Sequence, residues 1–306
     1  MIALLCPGQG SQTPGFLAPW LELTSFREAI ESMQEVSGID LIAHGTVSDA
    51  DTIRDTAIAQ PLIVAAGIAT MAALMDGKDL HDSKVSGIAG HSVGEITAAV
   101  GAGIFDAATG IKFVRERGEA MARAAALEST SMAAILGGEL QAIEDRLSEL
   151  ELEPANYNGP GQIVAAGATA QIGELQANPP AGTRVVPLQV AGAFHSRFMK
   201  PAQSSLAQYA NSMAVADPTI AIWSNQDGHQ VSSGDEFLKR LVSQVASPVR
   251  WDLCMQNMID SGVTSVIELA PAGTLAGIAK RAMPGVEIVA VKTPENLDAA
   301  LSILYN

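Results

Sequence analysis

The chain has 306 residues, 48% of them hydrophobic and 17% charged, with a formal net charge of −15. That composition excludes a disordered or fibrous chain and leaves one large domain or two coupled ones. The charge argues against nucleic acid, whose binding depends on Lys and Arg neutralising phosphates. No membrane partner is expected either, since Gly, Thr, Asp or Gln interrupts each Ala-rich stretch short of spanning length.

The first predicted element is a strand over residues 1–6, which lacks the positive region of a secretion signal. It runs into Pro7-Gly8-Gln9-Gly10-Ser11-Gln12. This Gly-rich loop has neither the Lys of a P-loop nor the dinucleotide-binding spacing, so a nucleotide reading is weak. Apolar runs over 85–90 and 263–269 predict two more buried strands, with amphipathic helices between and after them. That alternation indicates a parallel sheet covered by helices. The middle of the chain has a different texture. Strands over 131–136, 162–167 and 184–190, with helices near 139–150 and 170–177, predict an inserted α+β unit of about 65 residues. The expected division is 1–123 with 192–306 for the body and 124–191 for the insert, with a substrate cleft between them. Cys6 and Cys254 lie far apart in apolar surroundings, as buried free thiols of a cytoplasmic protein would.

The strongest local signal is Gly90-His91-Ser92-Val93-Gly94-Glu95, set between a strand pattern and a helix pattern. A strand that turns this sharply into a helix needs glycine where a side chain would clash, and it lifts Ser92 out of the chain. The Ser92 hydroxyl then stands at a helix N-terminus, where backbone N–H groups beginning with Val93 can stabilise an oxyanion. A serine that merely caps the helix has the same local pattern.

A serine nucleophile needs a base, and five histidines are available: His44, His81, His91, His195 and His229. His91 adjoins Ser92 but should point to the opposite side. His44, His81 and His229 lie in polar or turn-like stretches. His195 sits in a small-residue loop after a predicted strand, shortly before Pro201 is expected to open a helix. Position alone leaves a structural role for His195 open.

From Asp106, a plausible N-cap, to about Ala124 the chain reads as a helix. At about 100° per residue, Phe113, Val114, Ala120, Met121 and Ala124 fall within roughly 60° of Arg117, whereas Arg115 points about 160° away. Arg117 therefore shares the apolar face and must find an anion or several acceptors. From the helix alone, a structural ion pair is the preferred reading over a ligand-binding role.

Gly-His-Ser-Val-Gly-Glu, about eighty residues after Pro-Gly-Gln-Gly-Ser-Gln, resembles the signature pair of the malonyl-CoA:acyl carrier protein transacylases and of the acyltransferase domains of fatty acid and polyketide synthases. Matching segments extend the resemblance over essentially the whole chain. The fold it implies is α/β: a hydrolase-like body with a parallel sheet flanked by helices, plus an inserted small ferredoxin-like subdomain. It implies a malonyl ester on Ser92, with malonyl-CoA as donor and the phosphopantetheine thiol of acyl carrier protein as acceptor, supplying fatty acid biosynthesis without a metal or bound cofactor. His195, within Gly192-Ala193-Phe194-His195-Ser196, matches the family's base, and the Ala-Phe-His form resembles malonyl-selective domains. The backbone N–H groups of Gln9 and Val93 are the implied oxyanion donors, and Arg117 matches the arginine that forks onto the malonyl carboxylate.

For the group that orients His195, the matching segment Ser247-Pro248-Val249-Arg250-Trp251 assigns the main-chain carbonyl of Arg250, although the family often has Asn where this chain has Ser247. Gln60-Pro61 and Asn156-Tyr157-Asn158 resemble segments lining the pocket, and are equally readable as turn and capping residues. Coenzyme A and carrier protein are acidic, so a local basic patch is expected, with Arg197, Lys200, Lys280 and Arg281 as candidates. A thioester hydrolase, a noncatalytic acyl-CoA or carrier-protein binding module, and a transacylase of polyketide synthesis or malonate breakdown remain alternative readings.

Overall fold

The computed structural model describes residues 1–75 and 83–305. In chain order its strands are β1 (Ile2–Cys6), β2 (Val85–Gly90), β3 (Thr130–Gly137), β4 (Glu153–Gly159), β5 (Gln162–Ala168), β6 (Thr183–Pro187), β7 (Ala221–Trp223), β8 (Ser265–Glu268) and β9 (Glu287–Ala290).

Five of them form a parallel sheet in the order β7-β2-β1-β8-β9. Its central strand shows why the apolar run at the N-terminus is continuous rather than alternating. Leu4 and Cys6 face one apolar cluster while Ala3 and Leu5 face another, and all four are fully buried. A parallel strand covered by helices on both faces has no solvent side, so no polar residue is selected at alternate positions. Each such leucine contributes roughly 1.5–3 kcal/mol through burial. β7 and β9 have only three and four residues, too few to produce a readable periodicity.

The helix Thr56–Met75 packs against the helices Thr24–Ser37, Gly94–Gly101 and Ala107–Ala125. It is long and apolar enough to cross a membrane by composition, yet 83% of that stretch is buried inside the protein, which makes it a core helix. Gln60 and Pro61 lie within it, so Gln60 is held on a rigid element rather than at a turn.

The other four strands form an antiparallel sheet in the order β4-β5-β3-β6. With the helices Leu140–Glu149 and Thr169–Ala177, the chain here runs strand, helix, strand, strand, helix, strand, the order of a split β-α-β unit. Its own apolar cluster includes Ile135, Ile143, Leu147, Ile163 and Leu175. The sequence predicts three strands in this region; the fourth, β4, covers Asn156-Tyr157-Asn158. Asparagine and Pro154 are poor strand formers, and β4 exists because it has partners on both sides. It pairs with β5, and it exchanges backbone bonds with the body through Tyr157 N–H to Val249 O (2.9 Å) and Val249 N–H to Ala155 O (2.8 Å). The predicted strand over 184–190 stops at Pro187, and Leu188 and Val190 line a cavity instead.

Candidate active site

Between Gly90, the last residue of β2, and Gly94, the first of the helix Gly94–Gly101, the chain has three residues in which to reverse. A Cβ on Gly90 would sit 2.0 Å from the Gly94 carbonyl carbon, and one on Gly94 would sit 2.2 Å from the Cys6 oxygen. Glycine is therefore a steric requirement at both positions, as the sequence reading expects. Ser92 at the apex has φ 52°, a left-handed conformation that costs a non-glycine residue on the order of 1–3 kcal/mol.

Asn225, in the loop after β7, holds that strain in place. Its Oδ1 accepts from the Ser92 N–H at 2.7 Å, its Nδ2 donates to the Gly90 carbonyl at 2.8 Å, and its own N–H donates to Glu95 Oε1 at 2.6 Å. Sequence reasoning missed Asn225, which stands in no motif. Its one available signal is a loop position at the C-terminal end of a parallel strand, where α/β folds gather their sites.

His195 meets the apex from the other side. Its Nε2 lies 2.7 Å from Ser92 Oγ, and its Nδ1 lies 2.8 Å from the main-chain oxygen of Gln244. A carbonyl only accepts, so Nδ1 carries the proton and Nε2 presents a lone pair to the hydroxyl. Burial first, and the Arg117 charge second, push His195 down to about 3, so the resting imidazole is neutral.

The expectation that Arg250 supplies the orienting carbonyl is corrected here. The helix Gly234–Gln244 ends at Gln244, whose carbonyl finds no N–H four residues on at Pro248 and accepts from the Ser247 N–H at 3.1 Å as well as from the imidazole. The Arg250 carbonyl instead accepts from the Cys254 N–H at 3.1 Å, inside the first turn of the helix Trp251–Asp260. The Arg250 guanidinium pairs with Asp252 at 2.7 Å and lies 4.6 Å above the Tyr157 ring.

Arg117 projects from the helix Ala107–Ala125, which Asp106 caps by accepting from the Thr109 N–H. Phe113, Val114, Ala120, Met121 and Ala124 are buried on the same side. Arg117 is 2% exposed, and its hydrogen-bond partners are neutral: Gln60 Oε1 at 2.5 Å, Gln244 Oε1 at 2.9 Å and Ser92 Oγ at 3.4 Å. Burial lowers the guanidinium to about 10, with the Glu95 charge acting the other way, so it stays cationic at neutral pH. A buried cation hydrogen-bonded only to amides and a hydroxyl is suited to receive an anion. Arg115, on the opposite side, pairs with Glu116 and Glu119 at the surface.

Ser92, His195 and Arg117 line one cavity of about 220 Å³. Gln9 and Val93 line it too, and neither backbone N–H donates to a protein acceptor among the described residues. The small sheet contributes Met132, Ala134, Asn156, Asn158 and Val164 to the wall, so the cavity lies between the two sheets. His91 also lines it, but its Nε2 is 2.8 Å from Asn158 Oδ1 and burial lowers its pKa. His44 bonds Ser48, His229 is exposed, and His81 lies outside the described residues.

Of the basic candidates, Arg197 is tied to Glu153 at 2.5 Å, and Arg281 bonds Gln162 on the cavity wall, while Lys200 and Lys280 are exposed. Among the described residues no cluster of His, Cys, Asp or Glu could hold a metal, and Cys6 and Cys254 are free and buried. A hydroxyl activated by a neutral imidazole, with backbone donors and a cation in the same cavity, can form and break an ester of an acid-bearing acyl group.

Comparison with known proteins agrees with that chemistry. Residues 3–294 match the acyl transferase domain family, so the fold and site define an acyltransferase. The malonyl CoA-acyl carrier protein transacylase of Mycobacterium tuberculosis is 46% identical over 303 residues, spanning 97% of this chain and 98% of that protein. The crystal structure of the M. tuberculosis enzyme superposes with a TM-score of 0.92 over 98% of this chain and 99% of that one, again at 46% identity. A malonyl-transacylase solved in complex with a type II PKS acyl-carrier protein superposes with a TM-score of 0.92 at 29% identity, covering 99% of both chains. The chain belongs to the malonyl CoA-acyl carrier protein transacylase family.

Proposed function

We propose that this acyltransferase carries a malonyl group from malonyl-CoA to the phosphopantetheine thiol of acyl carrier protein through an ester on Ser92, in the service of fatty acid synthesis. The observation that carries the reading is the convergence of Ser92, His195 and Arg117, with His195 Nε2 at 2.7 Å and an Arg117 nitrogen at 3.4 Å from one hydroxyl oxygen.

The malonyl carboxylate docks on the Arg117 fork in exchange for the Gln60 and Gln244 amide oxygens. Ser92 gives its proton to His195 Nε2 and attacks the thioester carbonyl, while the Gln9 and Val93 N–H groups hold the oxyanion. The coenzyme A thiolate leaves and takes the proton from the imidazolium. The carrier thiol then repeats the sequence in reverse, losing its proton to His195 and attacking the ester. Nothing in this ping-pong scheme calls for a metal or a resident cofactor. The Gln244 carbonyl keeps Nδ1 protonated throughout, the positioning task an acid performs in other triads.

The substrate carboxylate would also neutralise the Arg117 charge, one of the influences that hold His195 so low. The base therefore strengthens as the correct acyl group arrives. A body of 1–123 with 192–306 and an insert of 124–191 is the division we favour, supported by the separate apolar cluster under the four-stranded sheet. Exposed Lys200 and Lys280 fit an acidic carrier, and two buried free thiols fit a cytoplasmic setting.

The test mixes the protein with malonyl-CoA and follows two acceptors, phosphopantetheinylated carrier protein and water. Transfer to the carrier that is fast against hydrolysis, and lost in Ser92→Ala, supports the reading. Hydrolysis that outruns transfer makes the protein a thioesterase instead.

A further inference from the structure

Behind Arg117 lies a carboxylate that the scheme above leaves without a task. Glu95, in the first turn of the helix Gly94–Gly101, is 1% exposed. Its Oε1 accepts from the Asn225 N–H at 2.6 Å, and its Oε2 accepts from Gln244 Nε2. Gln244 in turn directs Oε1 to Arg117 at 2.9 Å and its main-chain oxygen to His195 at 2.8 Å.

We propose that Glu95 is a positioning residue which, through Gln244, aims the Arg117 guanidinium at acyl groups that end in a carboxylate. The inference rests on the transacylase reading and deepens it. A carboxamide has two ends of nearly equal shape, one that attracts a guanidinium and one that repels it. Burial raises the Glu95 carboxyl to about 8, but its Oε2 still faces the NH2 end of Gln244, which also donates to the Ser92 carbonyl at 3.3 Å and to Asn225 Oδ1 at 3.2 Å, and this leaves the Gln244 oxygen for Arg117. Gln60 is arranged the same way on the other side of the fork. Its Nε2 faces the sulfur of Met121 at 3.4 Å, and its oxygen faces Arg117.

The spacer has a second consequence. An acid in direct contact with Arg117 would occupy the fork and compete with the substrate. One amide removed, Glu95 leaves the fork with neutral partners that an arriving carboxylate displaces.

Glu95→Gln is the discriminating variant. The new amide still offers an oxygen to the Asn225 N–H, so the clamp on the turn survives. Its other end now donates, which sets it against the Gln244 NH2 and loosens an amide that the Ser92 carbonyl and Asn225 Oδ1 then hold alone. The expected result is a rise of about tenfold or more in the KM for malonyl-CoA, the size of one hydrogen bond to a charged group. The malonyl over acetyl ratio of kcat/KM falls to match.

Gln244→Met supplies an independent arm, because it removes the amide but keeps the main-chain carbonyl on His195. It should lower the same ratio, and adding Glu95→Gln to it should change the ratio less than about twofold. Equal losses for malonyl and acetyl, or an unchanged ratio in Glu95→Gln while the unmodified protein forms its malonyl ester, overturn the positioning role alone. Failure of the unmodified protein to form that ester overturns the transacylase reading and this inference together.

Discussion

Replacing Arg117 with alanine takes a buried planar cation out of the cavity wall and leaves the hydroxyl, the imidazole and the backbone donors in place. In the intact protein the fork gives one hydrogen bond to Gln60 and one to Gln244. On docking it exchanges both for bonds to a carboxylate. Charged hydrogen bonds contribute about 1.5–3 kcal/mol each, and two of them, less the amide contacts given up, amount to about 3–4 kcal/mol. At 1.36 kcal/mol per tenfold, kcat/KM for malonyl-CoA should fall by about 10² to 10³.

Acetyl-CoA has no carboxylate to lose, and removing the unmatched guanidinium relieves it, so its kcat/KM should hold or rise. Folding is affected less. Two amide oxygens lose a donor, at about 1–3 kcal/mol each if dry, but they border the cavity and a buried charge is gone, so Tm should drop by only a few degrees. The assay is the rate of acyl-enzyme formation from each thioester, measured with the melting curve. An equal loss for malonyl and acetyl would refute the reasoning and make Arg117 a structural cation.

The pH profile of acylation reports on His195. Its active form as a base is the neutral one, and burial with the Arg117 charge holds its pKa at about 3. With acetyl-CoA, whose acyl group makes no use of the Arg117 fork, the free-enzyme profile of kcat/KM should therefore stay flat as pH falls from 8 to about 5, and an acid limb centred at the ordinary 6.5 would contradict this. In Arg117→Ala the second-largest depressing cause is gone, so the limb should move upward. Gly94→Ala tests the turn, since its Cβ would meet the Cys6 oxygen at 2.2 Å. It should destabilise the protein by about 3 kcal/mol and slow acylation, read by denaturant unfolding and by the same rate assay; a neutral effect would show that the turn can relax.

What the sequence made legible depended on how local each constraint is. Ser92 stood out because the two glycines answer to clashes within a few residues of it, and Arg117 because helical spacing places it among apolar neighbours. His195 needed the family resemblance, since a histidine in a small-residue loop has no local pattern to mark it. Asn225, Gln244 and Glu95 went unassigned because each is an ordinary polar type whose task arises where distant segments meet. Gln244 reaches His195 across 49 positions and Arg117 across 127.

The misassigned carbonyl belongs to the same class of difficulty. Arg250 lies six positions after Gln244, and the choice between them depends on which carbonyl the fold brings beside the imidazole. β4 was hidden for a related reason. Its sequence is that of a turn, and the pairing that makes it a strand comes from β5 and from Val249.

Intact mass of the protein after brief exposure to malonyl-CoA alone, with no carrier present, tests the central claim most directly. The account predicts one added malonyl group, located on Ser92 by peptide mapping, absent from Ser92→Ala and discharged when the carrier thiol is supplied. An unmodified protein that still transfers malonyl to the carrier, or an adduct on another residue, would contradict it.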